Sequence, residues 1–181
     1  VKIKQIFKIG SLAIAAFFVC AFNRADYGNG WLDVDRDCQD AREEILISES
    51  LEPVVLDNTG CKVIKGLWFD NYSGIYYSNP SKLDIDHLVP LAEVDRSGGS
   101  KWTKEKKLSY ANDLSHKETL IAVSASQNRA KGDKDPSEWL PENKSYHCTY
   151  LKNWQKVKNT WGLDADEKEK KFIEKGLKKC I

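Results

Sequence analysis

The chain has 181 residues, 41% apolar and 30% charged, with six Trp, seven Tyr and five Cys. That length supports one domain with a real core and is short for two. The apolar and aromatic content excludes wholesale disorder, and the absence of any run of about 20 apolar residues argues against a conventional membrane-spanning helix.

Lys2, Lys4 and Lys8 open the chain, and an apolar run from Ile9 to Phe22 follows, broken only by Gly10, Ser11 and Cys20. A basic head, a short apolar stretch and small residues at its end describe a secretory signal. Cleavage is expected after Ala21, with Ala25 as the second choice, so residues 1–25 are read as leader and 26–181 as the domain. The implied location is secreted or periplasmic, with no stable membrane association once the leader is removed. Without residues 1–21 the net charge is −2, but it is unevenly spread. Asp26 to Asp70 holds eleven acidic and four basic residues, whereas Lys144 to Ile181 holds ten basic and five acidic. A polyanion would meet attraction in the C-terminal half and repulsion near the start.

Four cysteines remain beyond the leader, and an even count in an exported chain reads as two disulfides. Of three pairings, Cys38–Cys61 and Cys148–Cys180 are favoured because each closes a local loop. Each loop would stabilise the fold by about 3 kcal/mol in the chain-entropy model. A four-cysteine zinc site is disfavoured, since no C-x-x-C knuckle is present.

Residues 33–50 begin acidic and become helical. Asp33, Asp35, Asp37 and Glu44 fall at positions 1, 3, 5 and 12 of a calcium loop, yet Cys38 stands where that loop needs Gly and no helix precedes it. Residues 61–77 read as short strands and turns. Leu83 to Val89 alternates as a strand and stops at Pro90. Residues 94–118 read as a long surface loop with a helical piece, and Thr119 to Val123 as a second strand. Ser124 with Gln127 forms a capping box for a helix that ends at Gly132 and carries Asn128 and Lys131 on one face. Asp135-Pro136 predicts a short helix. Two tail helices are expected near 150–160 and 165–179, the second capped by Asp164 with Glu167.

A strand ending in Asp-His, a second strand and a helix bearing Asn one turn in can bring Asp86, His87 and Asn128 to one point. A carboxylate and an amide oxygen, with other positions left to water and phosphate, suit Mg²⁺ or a similar hard cation. His87 follows the ligand directly, and an imidazole is a fitting base for activating water near neutral pH. Such a set is equipped for metal-assisted phosphodiester hydrolysis.

LDIDHLVP (83–90), YANDL (110–114) and TLIAVSASQNRAKGDKDPSEWLP (119–141) resemble the HNH, or ββα-metal, nucleases. The branch most similar is the secreted one whose domain is like the C-terminal nuclease part of GmrSD-type restriction enzymes. The likeness runs from about Cys38 to Cys180. It implies an α+β fold, a single small domain built on a ββα-metal hairpin and helix with flanking helices and two disulfides. It implies an endonuclease with His87 as general base and one divalent cation on Asp86 and Asn128, Mg²⁺ foremost and Mn²⁺ or Ca²⁺ as alternatives. The motif's middle position, usually Asn, holds Thr119, so Asn112 is the expected source of the hydrogen bond that orients the base, with Thr119 as the other candidate. Arg129 and Lys131 are expected to contact phosphates.

Beside these, His116 reads as an exposed side chain and His147 as a neighbour of Cys148. Trp68, Trp139, Trp154 and Trp161 read as core or shelf residues. Lys101, Lys104, Lys106 and Lys107 read as a solvated face or, with Lys131 and Lys134, a phosphate-binding rim. The expected partner is nucleic acid, DNA favoured over RNA, bound by a monomer that an immunity protein could accompany. Two competing classes are a degenerate, disulfide-stabilised nucleic-acid-binding module and a metal-dependent hydrolase of another substrate.

Overall fold

The computed structural model describes residues 22–180, so the leader expected over 1–25 lies outside the described residues up to position 21. After a 3₁₀ turn at Arg24–Tyr27 come α1 (Ala41–Glu49), β1 (Val55–Leu56), β2 (Val63–Lys65), β3 (Trp68–Asp70) and β4 (Ile75–Tyr77). Next are β5 (Leu83–His87), α2 (Leu91–Arg96), α3 (Lys104–Ala111), β6 (Leu120–Ser124) and α4 (Ala125–Lys131). The chain closes with α5 (His147–Trp161) and α6 (Glu167–Leu177). The strands pair as three antiparallel two-stranded sheets, β1–β2, β3–β4 and β5–β6. This is the α+β architecture, and among the described residues no helix is long and apolar enough to cross a membrane.

The β5–β6 hairpin is the centre of the fold. Its register runs from Leu83 opposite Ser124 to His87 opposite Leu120. Side chains alternate across a strand, so Leu83, Ile85, Leu120 and Ala122 enter one core with Ile45 and Leu46 of α1 and Trp68 of β3. Ile121 and Val123 enter a second, larger core with residues of α2, α3, α5 and α6. Both faces of the hairpin are therefore covered, while β5 is paired along one edge only.

Both disulfides form as expected. Cys38–Cys61 fastens the approach to α1 against β2, and Cys148–Cys180 joins the first turn of α5 to the residues beyond α6. The helical layer is tied further by Lys158, whose buried ammonium donates to Glu93, Glu169, Ser97 and the Asp164 carbonyl.

Three elements depart from expectation. Residues 94–118 are largely helical, with Thr103 capping α3 through Lys106 N–H. Lys107 is buried there because its ammonium reaches Asp95 and Asp26 and lies over the Tyr27 ring. Asp135-Pro136 makes a turn, in which the Asp135 carbonyl accepts from Glu138 and Trp139, and no helix. The cap of α6 is Asp166, whose carboxylate takes Lys168 and Glu169 N–H; Asp164 instead bonds Ser97 and Lys158 through its backbone.

Candidate active site

Ser124 leads directly from β6 into α4, accepting from Gln127 N–H, and Gly132 ends the helix at φ 58°. With seven residues the helix is two turns long, so Asn128 and Lys131 project from one side of it toward β5. Asp86, His87 and Asn128 line one open cleft of about 390 Å³, together with Phe22, Arg24, Trp31, Gly132 and Asp133. The hairpin and helix thus place along one cleft the three residues on which the sequence reading rested.

His87 is buried, and its Nε2 lies 3.0 Å from the Ala111 carbonyl at the end of α3. A carbonyl only accepts, so Nε2 carries the proton and Nδ1 of the neutral ring keeps its lone pair. The imidazole is sandwiched between Trp31 (5.5 Å between centroids, 16°) and Tyr110 (5.9 Å, 20°). Burial pushes its pKa from 6.5 down to about 4, so the ring is neutral across the physiological range.

The carboxylate of Asp86 is fixed from two sides. Lys131 Nζ reaches both oxygens, at 2.9 and 2.7 Å, and the Tyr72 hydroxyl donates to Oδ2 at 2.8 Å. Burial pushes the Asp86 carboxyl up, and the Lys131 ammonium opposes that shift. Oδ2 accepts two bonds and Oδ1 one, which leaves Oδ1 a lone pair. The Asn128 amide donates through Nδ2 to Asp84 Oδ2 (3.1 Å), which turns its carbonyl oxygen the other way, with no partner among the described residues. Two hard oxygens with a free lone pair therefore belong to residues that line one cleft, a donor set whose chemistry fits a Mg²⁺-type cation.

The other expected site residues sit elsewhere. Lys131, expected to contact phosphate, is fully buried, and its third N–H goes to the His87 carbonyl at 2.8 Å, so no donor is left for a substrate. Arg129 is exposed on the last turn of α4, outside the lining of the cleft. Neither Asn112 nor Thr119 bonds His87. Asn112 Oδ1 accepts from Leu32 N–H at 2.8 Å while Nδ2 donates to the Leu108 carbonyl, anchoring the segment that carries Trp31. Thr119 donates to Asp113 Oδ2 at 2.7 Å, and that carboxylate also takes His116 and Trp161. The orienting bond comes from a backbone carbonyl, which no residue type announces. Trp31, Tyr72, Asp84 and Tyr110 were likewise passed over, although Asp84 alternates with Asp86 and was open to that reading.

The three acidic residues at the calcium-loop positions do converge: oxygens of Asp33, Asp35 and Asp37 lie within 4.8 Å of one another, all exposed. Asp33 accepts from Arg36 and Cys38 N–H and Asp37 from Gln39 N–H, as acidic residues in turns do.

Residues 40–175 match the family described as "GmrSD restriction endonucleases, C-terminal domain". The chain belongs to that family, so the likeness to restriction-endonuclease domains holds over most of its length. A relative from Arthroderma benhamiae, described as an "Uncharacterized secreted protein", is 38% identical over 150 residues, spanning 83% of this chain and 72% of the relative. No solved structure matches the chain.

Proposed function

We propose that this protein is a secreted endonuclease that uses one divalent cation to hydrolyse phosphodiester bonds of nucleic acid, DNA in preference to RNA, as a monomer. One observation carries the reading: Asp86, His87 and Asn128 share a cleft, in a member of a restriction-endonuclease domain family. Export is supported by the basic and apolar leader, the two disulfides and the secreted relative.

Nδ1 of His87 takes the proton of the attacking water. The Ala111 carbonyl on Nε2, with Trp31 and Tyr110 on the two ring faces, sets where that lone pair points. Asp86 and Asn128 would hold Mg²⁺, with Mn²⁺ or Ca²⁺ as substitutes. Bound there, the cation supplies polarisation of the phosphate and stabilisation of the departing oxygen. Lys131 and Tyr72 keep the Asp86 carboxylate in place, and Asp84 keeps the Asn128 amide turned. Arg129 serves phosphates at the rim.

A second reading, a degenerate module that grips nucleic acid without cutting it, is favoured by one feature: the Lys131 ammonium already neutralises Asp86. Plasmid nicking by the oxidised protein separates the two. Cutting with Mg²⁺ or Mn²⁺, lost in EDTA, is expected, and His87→Ala should lower the rate by about 10²- to 10⁴-fold with affinity nearly unchanged. An intact plasmid with every divalent metal would overturn the enzyme reading.

A further inference from the structure

The segment after Ala21, which spans the two expected cleavage positions, is part of the cleft wall. Asn23 caps the turn Arg24–Tyr27 through Ala25 N–H, and Tyr27 is buried with its hydroxyl 3.2 Å from Asp95 Oδ1. Farther along, Leu32 N–H is held by Asn112. Along this anchored segment, Phe22, Arg24 and Trp31 line the same cleft as Asp86, His87 and Asn128.

The charges on that cleft do not cancel. Asp86 is neutralised by Lys131, and Asp133 by Arg96 at 2.8 Å. Arg24 is exposed and has no ion pair or side-chain hydrogen bond among the described residues, and its charge is close enough to disfavour protonation of His87. An unpaired guanidinium at the mouth of a polar cleft, beside a neutral imidazole, is suited to a tetrahedral dianion or monoanion, whose oxygens match its fork.

We infer that Arg24 binds the phosphate being cleaved, so that the residues just after the leader complete the active site. This rests on the nuclease reading above. The guanidinium meets charge that grows on the equatorial oxygens during attack, so its contribution falls on the transition state more than on ground-state binding. Arg129, exposed outside the cleft lining, cannot replace it. Leader removal must then occur after Ala21, because a cut after Ala25 deletes the residue.

The test compares the oxidised, secreted protein with Arg24→Gln and Arg24→Lys on plasmid and on a short DNA duplex with Mg²⁺, alongside binding of the duplex over a salt series without cleavage-competent metal. Arg24→Gln should lower kcat by about 10²- to 10³-fold with KM changed far less, and guanidinium added to the buffer should restore part of the rate. Arg24→Lys should recover only partly, because a point charge lacks the fork. The salt slope of log affinity should shrink by about 0.9 in Arg24→Gln, with the thermal midpoint unmoved. Cleavage within twofold of the unsubstituted protein and an unchanged slope would overturn the role of Arg24 and leave the nuclease reading standing. If the unsubstituted protein does not cut, the nuclease reading fails, and an unchanged salt slope then also removes Arg24 as an anion contact. A mature N-terminus at Phe22 by mass spectrometry supports the inference, and one at Asp26 overturns it.

Discussion

Lys131 and Lys158 are the two most deeply buried lysines among the described residues, and their surroundings differ. Lys158, in the helical layer, meets two carboxylates, Glu93 and Glu169, at 2.7 Å each, plus Ser97 and a backbone carbonyl. Lys131 meets one carboxylate, Asp86, and the carbonyl of His87. The first cluster is over-supplied with acceptors and ties α2, α5 and α6 together. The second holds one carboxylate of a residue that lines a cleft and leaves one of its lone pairs without a partner among the described residues. A saturated pair stabilises position; a partly satisfied one keeps an acceptor free, as the proposed metal site requires.

Substituting each ammonium tests that distinction and should give the largest effects. Lys158→Met leaves two buried carboxylates facing each other, and a loss of about 3–5 kcal/mol is expected, measured by urea unfolding. Cleavage per folded molecule should stay near the unsubstituted value. Lys131→Met should cost a similar amount by stranding Asp86, and should also remove cleavage from the fraction that remains folded. Equal residual activity in the two variants would erase the contrast between them.

Asn112→Ala comes next. The side chain joins α3 to the Trp31 segment by two bonds, and its loss leaves the Leu32 N–H and the Leu108 carbonyl without that partner. A cost of about 2 kcal/mol is expected, with a fall in kcat through loosening of Trp31 on His87 and no change in the metal dependence. Loss of stability with kcat unchanged would detach the N-terminal segment from the chemistry.

The hairpin, the helix and the cleft that Asp86, His87 and Asn128 share were legible because Leu83 to His87 and Leu120 to Ser124 alternate cleanly and Ser124 and Gly132 bracket the helix. The disulfides were legible from locality. What could not be read were interactions without local pattern. Tyr72 and Asp86 are 14 residues apart, and Lys131 and Asp86 are 45 apart. Burial reversed the expectation for Lys131, since a lysine on a polar helix face reads as solvated until a carboxylate is placed beneath it. Arg24 and Trp31 were hidden for another reason: the first falls in residues set aside as leader, and the second lies in an acidic, turn-rich stretch whose path over the cleft depends on Asn112, a residue 80 positions from Leu32.

A half-buried carboxylate with no lysine at all completes the comparison. Glu49 accepts from Ala122 N–H at 2.8 Å, its only hydrogen-bond partner among the described residues, and desolvation pushes its pKa from 4.5 to about 7. The folded state therefore binds a proton that the unfolded chain has released between those values. Its contribution to stability is present below pH 4.5 and lost as pH rises through about 7. Glu49→Gln keeps an oxygen for the Ala122 N–H and removes the charge, so it should raise stability at pH 8 by on the order of 1 kcal/mol, discounted for residual solvent contact. The gain should narrow toward pH 5, read as the difference in thermal midpoints across that range. A gain that does not depend on pH would mean that the carboxylate is not the cause, and that Asp86 needs Lys131 for reasons other than the cost of leaving a charge alone.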